Sequence, residues 1–202
     1  MQTERYQRDY WLAGDPPSKR MILQAALRLF ARQGVDSVTV REIGEKAGYT
    51  NAALFKFFPT KDSLALYLFE RCYSAMYEDL SAAVDSEAGF LPRFHALMAA
   101  FTAQLDRDPD AFLFVQDQLR NMWPRVSRDT RKHTIVGLIR TTLEQGLQEN
   151  KVRPTTDLTL LVATIVGTIQ QFARMLSFGE FSSPARHWTA ELEQILLRAV
   201  AP

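Results

Sequence analysis

The sequence predicts an all-α protein of about nine helices, and three observations carry that expectation. Apolar residues recur three and four apart in successive segments along most of the 202 residues, the repeat of a helix face. Gly, Pro and Ser/Thr/Asp caps punctuate these segments at helix-length intervals. No run alternates with period two for long enough to make a sheet. The expected organisation is an arm over residues 1–17, a three-helix domain over 18–62 and a larger helical domain over 63–202.

Residues 1–17 are polar and end in the breaker Gly14-Asp15-Pro16-Pro17, with Trp11 and Leu12 suited to surface packing. The first helix is expected over 18–33, with Ser18 as cap, Ile22, Ala26, Leu29 and Phe30 facing inward, and Gly34 as stop. Thr39 and Glu42 form a capping box that opens the second helix. Val40, Ile43, Gly44 and Ala47 lay one apolar stripe along it, and Gly48 ends it. Thr50 caps a third helix, which buries Leu54 and Phe58 and stops at Pro59.

Thr60 caps a long fourth helix to about Val84, with Asp62 in its first turn. Its large apolar side chains wrap most of the circumference, so it is expected to be buried on two sides. A fifth helix over 91–106 and a sixth opened by Asp108-Pro109 follow, and Trp123-Pro124 breaks the sixth. A seventh is expected over about 127–149 and an eighth over about 156–178. Ser183 caps the ninth, with Pro184 in its first turn.

Two short helices joined by a tight Gly-containing turn describe a helix-turn-helix over residues 39–61. In that motif the second helix enters the major groove of DNA. The outward residues fit that role, since Thr50, Asn51, Ala52 and Ala53 are small or carry an amide, and Lys56 is cationic. With such a domain in place, Arg5 and Arg8 read either as a flexible arm reaching DNA or as part of a loosely ordered tail.

From residue 20 to 64 the chain resembles the N-terminal domain of the TetR family of transcriptional regulators. Ile22-Leu23, Ala25-Ala26, Leu29-Phe30, Gly34, Thr39-Val40, Ile43, Ala47-Gly48, Leu54, Phe57-Phe58, Lys61 and Leu64 carry the resemblance, which ends in F-x-x-K-x-x-L. Further on, Gly146 and the spacing of Asp157 to Gly167 are compatible with it. The sequence departs from the family where it has Ala52 for Gly, Phe55 for Tyr, and Phe57 for Tyr or His. Phe55 has no hydroxyl to touch a phosphate, and Lys56 stands beside it to compensate. The resemblance implies that Arg41, Thr50, Asn51, Ala52, Ala53 and Lys56 face the major groove and that Phe55 belongs to the DNA-binding set. Thr39, Thr60 and Lys61 would hold phosphates.

Composition fits this organisation. With 47% hydrophobic residues the chain can bury a core, and a single cysteine allows no intrachain disulfide. The start has no apolar signal segment, and the longest apolar-rich run, residues 158–169, is too short to span a bilayer. A cytoplasmic protein without membrane contact is expected. Residues 1–61 carry ten basic and six acidic residues; the remainder carries 14 and 17, a basic head on an acidic body. His95, His133 and His187 are far apart, Cys72 sits in an apolar helix, and no Gly-rich phosphate loop is present. Neither catalysis, metal nor cofactor is expected.

The fourth to eighth helices carry many aromatic and Met side chains. Tyr73, Tyr77, Phe94, Met98, Phe101, Met122 and Trp123 are read either as plain core or as the wall of a pocket. Gln118, His133, Gln170 and Arg174 are the candidate polar groups of that wall. The resemblance implies a small hydrophobic or aromatic effector that shifts the fourth helix and releases DNA. On the eighth helix Leu161, Ile165 and Phe172 form a seam, and on the ninth Trp188, Leu192 and Ile195 form another. These fit a monomeric core or, as the resemblance implies, a homodimer through a four-helix bundle on a near-palindromic operator. The functional expectation is a ligand-released repressor. The alternative is a helical small-molecule-binding protein whose DNA binding is weakened or lost.

Overall fold

The computed structural model describes residues 10–202, and among these every regular element is helical. In chain order they are α1 Pro17–Gln33, α2 Val40–Ala47, α3 Asn51–Phe55, α4 Lys61–Asp85, α5 Phe90–Arg107 and α6 Pro109–Met122. A 3-10 turn, Trp123–Arg125, leads to α7 Arg128–Lys132, α8 Ile135–Gln148 and α9 Leu158–Ser177. A second 3-10 turn, Ala185–Trp188, precedes α10 Thr189–Val200. The chain divides into two compact units. One holds the residues up to Ala75 with Asp108–Thr130, the other Met76–Arg107 with Arg131–Pro202.

In the first unit α1 begins one residue earlier than expected. Pro17 takes the first helical position and Ser18 provides no cap. Ile22, Leu23, Ala26, Leu27 and Phe30 are buried, and Phe30 stacks on Phe114 of α6 with ring centroids 5.9 Å apart. Residues 10–16 are tied down, contrary to the loose-tail reading. Tyr10 is buried and its carbonyl accepts from Arg71 Nε. Asp15 accepts from Leu12 N–H and, at 2.7 Å, from Lys19 Nζ, while Arg20 donates to the Ala13 and Asp15 carbonyls. Burial alone would raise the Asp15 carboxyl, but these donors outweigh it and hold it below its ordinary value. The arm arginines Arg5 and Arg8 lie outside the described residues.

In the second unit α5 supplies the centre of the core. Phe90, Phe94, Leu97, Met98 and Phe101 are all at most 2% exposed. The Glu149 carboxylate accepts from Phe90 N–H and so caps α5 from the far end of α8. Gly146 makes this packing possible, because a Cβ there would stand 2.5 Å from Val152 Cγ2 and 2.8 Å from Phe90 Cδ2. The expected seventh helix is interrupted at His133-Thr134, and Thr134 restarts the chain as the cap of α8. The last helix also starts later than expected. Pro184 opens the 3-10 turn, Asp106 accepts the Ala185 and Arg186 N–H groups, and α10 begins at Thr189.

Helix α9 has two apolar sides. Leu161, Val162, Ile165, Phe172 and Ala173 are buried in the unit. Leu160 is 61% exposed and Phe178 72%, with Ala163, Thr164, Gly167 and Gln171 exposed between them. Ile195 of α10 is 57% exposed. The helix is longer than the apolar run noted in the sequence. Its 20 residues, with a mean hydropathy of 1.3 over the most apolar stretch, suffice by length and composition alone to cross a membrane. Only 28% of that stretch is buried within the chain.

Candidate nucleic-acid interface

The helix-turn-helix is built by local rules, one residue at a time. The Thr39 hydroxyl accepts from Glu42 N–H, and Glu42 Oε2 takes the Thr39 N–H and hydroxyl, each at 2.7 Å. These donors, the hydroxyl first, hold the Glu42 carboxyl below its ordinary value. Gly48 ends α2 in the left-handed region at φ 74°, which places Tyr49 N–H on the Gly44 carbonyl at 2.9 Å. Thr50 caps α3 by accepting from Ala53 N–H. Leu54 is fully buried and fixes the roll of α3, as Ile43 does for α2.

The turn is tight enough to require a glycine on α2. A Cβ at Gly44 would lie 2.7 Å from the Tyr49 carbonyl and 3.2 Å from Asn51 Oδ1. Gly44→Ala must therefore push α2 away from the turn. It is expected to destabilise the domain by about 1–3 kcal/mol, the usual cost of overpacking, seen as a lower denaturation midpoint in urea.

The roll leaves Asn51, Ala52, Phe55 and Lys56 exposed, with Ala53 half-buried. Thr50 is exposed at the front of the helix. Arg41 is also exposed and lies 2.8 Å from Glu45 Oε1, one turn along α2. That hydrogen bond is the first cause of the upward shift of its pKa. Phe57 is half-buried, and Phe58 is buried against the Tyr67 ring, 5.4 Å between centroids. Lys19 Nζ sits 4.8 Å from the Tyr67 ring centroid, a cation over an aromatic face.

Two of the expected phosphate ligands are engaged inside the domain. Lys61 Nζ donates to the carbonyls of Val35 and Val38 at 2.7 Å each and of Asp36 at 3.2 Å. All three of its protons are used, so Lys61 clamps the α1–α2 connection and is not presented for phosphate binding. The Thr39 hydroxyl gives its proton to Glu42. Thr60 accepts from Ser63 N–H and receives Ser63 Oγ on its carbonyl, so α4 opens on a Thr-Ser cap. The residues that sequence reading missed are Glu45, Ser63 and Arg125. Arg125 grips Asp62 at the start of α4 through both terminal guanidinium nitrogens, and that pairing is the main cause of the lowered Asp62 pKa. The spacing of Arg41 and Glu45, i and i+4, was a readable signal for their pairing. Arg125, 63 residues from its partner, gave none.

The expected ligand residues fall in both units. In the first, Tyr73 and Met122 are buried, Gln118 and Trp123 are half-buried, and the Tyr73 ring lies 5.0 Å from Trp123. In the second, Phe94, Met98 and Phe101 are in the α5 core, while Gln170 and Arg174 are half-buried on α9. Half-buried Tyr77 lies 5.4 Å from the ring of His133, which is exposed. The expected dimer seam is corrected by burial. Leu161, Ile165, Phe172 and Leu192 are core residues of a single chain, and Trp188 is half-buried beneath Phe181, with ring centroids 5.1 Å apart. Ile195 alone of that set is exposed, and the open apolar face runs through Leu160 and Phe178.

Two short capped helices, a left-handed glycine turn and a polar-edged second helix held by α1 define a helix-turn-helix DNA-binding domain. Residues 22–68 match the family model for bacterial regulatory proteins of the tetR family. Over those residues the chain is similar to the TetR family of transcriptional regulators. It is 27% identical over 162 residues to the HTH-type transcriptional repressor KstR2 of Mycobacterium tuberculosis, covering 78% of this chain and 80% of that protein. It is 26% identical over 182 residues to the nucleoid occlusion factor SlmA of Vibrio vulnificus, covering 81% and 88%. The structure of the ketosteroid transcriptional regulator KstR2 shares the fold, with a TM-score of 0.79, 21% identity and coverage of 96% and 100%. So does that of FadR from Bacillus subtilis in complex with stearoyl-CoA, with a TM-score of 0.71, 15% identity and coverage of 90% and 99%.

Proposed function

We propose that this chain is a cytoplasmic homodimeric repressor that binds a near-palindromic operator and is released by a small hydrophobic or aromatic ligand. The observation that carries the reading is the outward face of α3, where Asn51 and Lys56 are exposed on a helix whose roll is fixed by buried Leu54. Asn51 is suited to pair with adenine, and Arg41 and Lys56 with guanine or phosphate. In this reading residues 18–62 are the DNA-binding domain, and the open face of α9 and α10 joins two copies. KstR2 is a ketosteroid regulator and the FadR structure holds stearoyl-CoA; a steroid skeleton and a stearoyl chain are both apolar. That supports an effector of the same character. The ligand acts through its differential affinity for the DNA-bound and free states, commonly about 1–3 kcal/mol.

Asn51→Ala tests the DNA contact. It is expected to lose about 1–3 kcal/mol at one base step and to relax specificity there. Equal binding of the variant and the parent to every operator sequence would remove Asn51 from the interface. A panel of hydrophobic small molecules, scored for thermal stabilisation and for operator release, tests the effector. A molecule that raises the melting temperature without weakening operator binding contradicts the coupling.

A further inference from the structure

The recognition face carries an apolar edge that hydrogen-bonding readout does not use. Ala52 and Phe55 are three apart on α3 and therefore neighbours on one side of it. Both are exposed, Phe55 to 48%, whereas Leu54 beside it is fully buried and Phe58 is 5% exposed. Phe55 is thus no part of the domain's core. A single exposed apolar side chain is ordinary on a protein surface. This one, however, sits between Asn51 and Lys56 on the face that the proposed function turns toward DNA. A phenyl ring neither donates to a phosphate nor pairs with a base edge. The major groove offers one apolar feature to it, the 5-methyl group of a pyrimidine.

We propose that the Ala52–Phe55 edge of α3 reads the 5-methyl group of thymine in each half-site. The inference rests on the DNA-binding reading above and deepens it. Asn51 and Lys56 supply polar and charged contacts on either side, while the ring and the Ala52 methyl close over the base methyl and exclude water from it. A cytosine carrying the same 5-methyl group presents the same apolar surface at that depth of the groove, whereas uracil does not.

The test begins with full-length protein and a pool of random DNA duplexes, from which the preferred site is selected. Each thymine of a half-site is then replaced by deoxyuridine, which removes only the methyl group. At one or two positions the parent is expected to bind about fourfold more weakly per methyl lost, the effect of exposing one methylene-sized group. Symmetric replacement in both half-sites multiplies this to about fifteenfold. Phe55→Ala is expected to bind thymine and uracil sites alike, with a circular dichroism spectrum like the parent's, and Phe55→Leu to retain part of the preference. Indifference of the parent to every thymine-to-uracil change overturns the proposal while leaving DNA binding intact. So does a Phe55→Ala variant that keeps the parent's full preference. Failure of the folded parent to select any site overturns both readings together.

Discussion

Lys61→Met is expected to lower the stability of the first unit by about 2–4 kcal/mol, because three backbone carbonyls lose a charged donor at once. The figure is less than three separate charged hydrogen bonds would give, since one half-buried ammonium serves all three oxygens. In a chain of this length the melting temperature should fall by roughly 4–16 °C. The carbonyls belong to Val35, Asp36 and Val38, the segment that carries the chain from α1 into the capping box of α2. DNA affinity should fall as a consequence, because α2 and α3 lose their fixed approach to α1. A Lys61 that merely held a phosphate would give the opposite pattern, with weaker DNA binding and an unchanged melting curve. A variant that melts with the parent removes the clamp.

Leu160→Glu together with Ile195→Glu is expected to give a folded monomer. Both side chains are more than half exposed on α9 and α10, so the charges cost little within one chain. Across a two-fold interface each patch meets its own copy, and four carboxylates would be brought together in an apolar contact. Self-association should weaken by at least about a hundredfold, a cost of several kcal/mol for such juxtaposition. Phe172→Glu should behave differently. Phe172 is 4% exposed between Phe101 and Phe181, so an unpaired carboxylate there should unfold the second unit. Sedimentation of the parent and both variants, with circular dichroism beside it, separates the outcomes. A Leu160→Glu/Ile195→Glu protein that sediments as the parent does would move the interface elsewhere.

What was legible in the sequence follows the range of the forces involved. The helix-turn-helix was readable because each of its signals acts within four residues: Thr39 on Glu42, Thr50 on Ala53, Gly48 on its own backbone. The Lys61 clamp spans up to 26 residues, and a lysine after a Pro-Thr turn gives no sign of which carbonyls it will meet. The break at His133-Thr134 has neither Gly nor Pro to announce it, so the periodic pattern read straight through. On α9 the apolar character was plain but its phase was not. The side left open has small residues, Ala163 and Gly167 among them, between Leu160 and Phe178, and most of the large side chains lie on the buried face. Residues 10–16 carry no helical repeat, and it is the Asp15 carboxylate and Arg20 that hold them.

Selection from random duplex DNA with the full-length parent tests the central claim most directly. The expected result is enrichment of a near-palindromic site with two half-sites about one helical turn apart or a multiple of it, one protein dimer per duplex, and loss of the motif with Asn51→Ala. A folded, dimeric parent that enriches no sequence, or that enriches a single asymmetric site as a monomer, would contradict it.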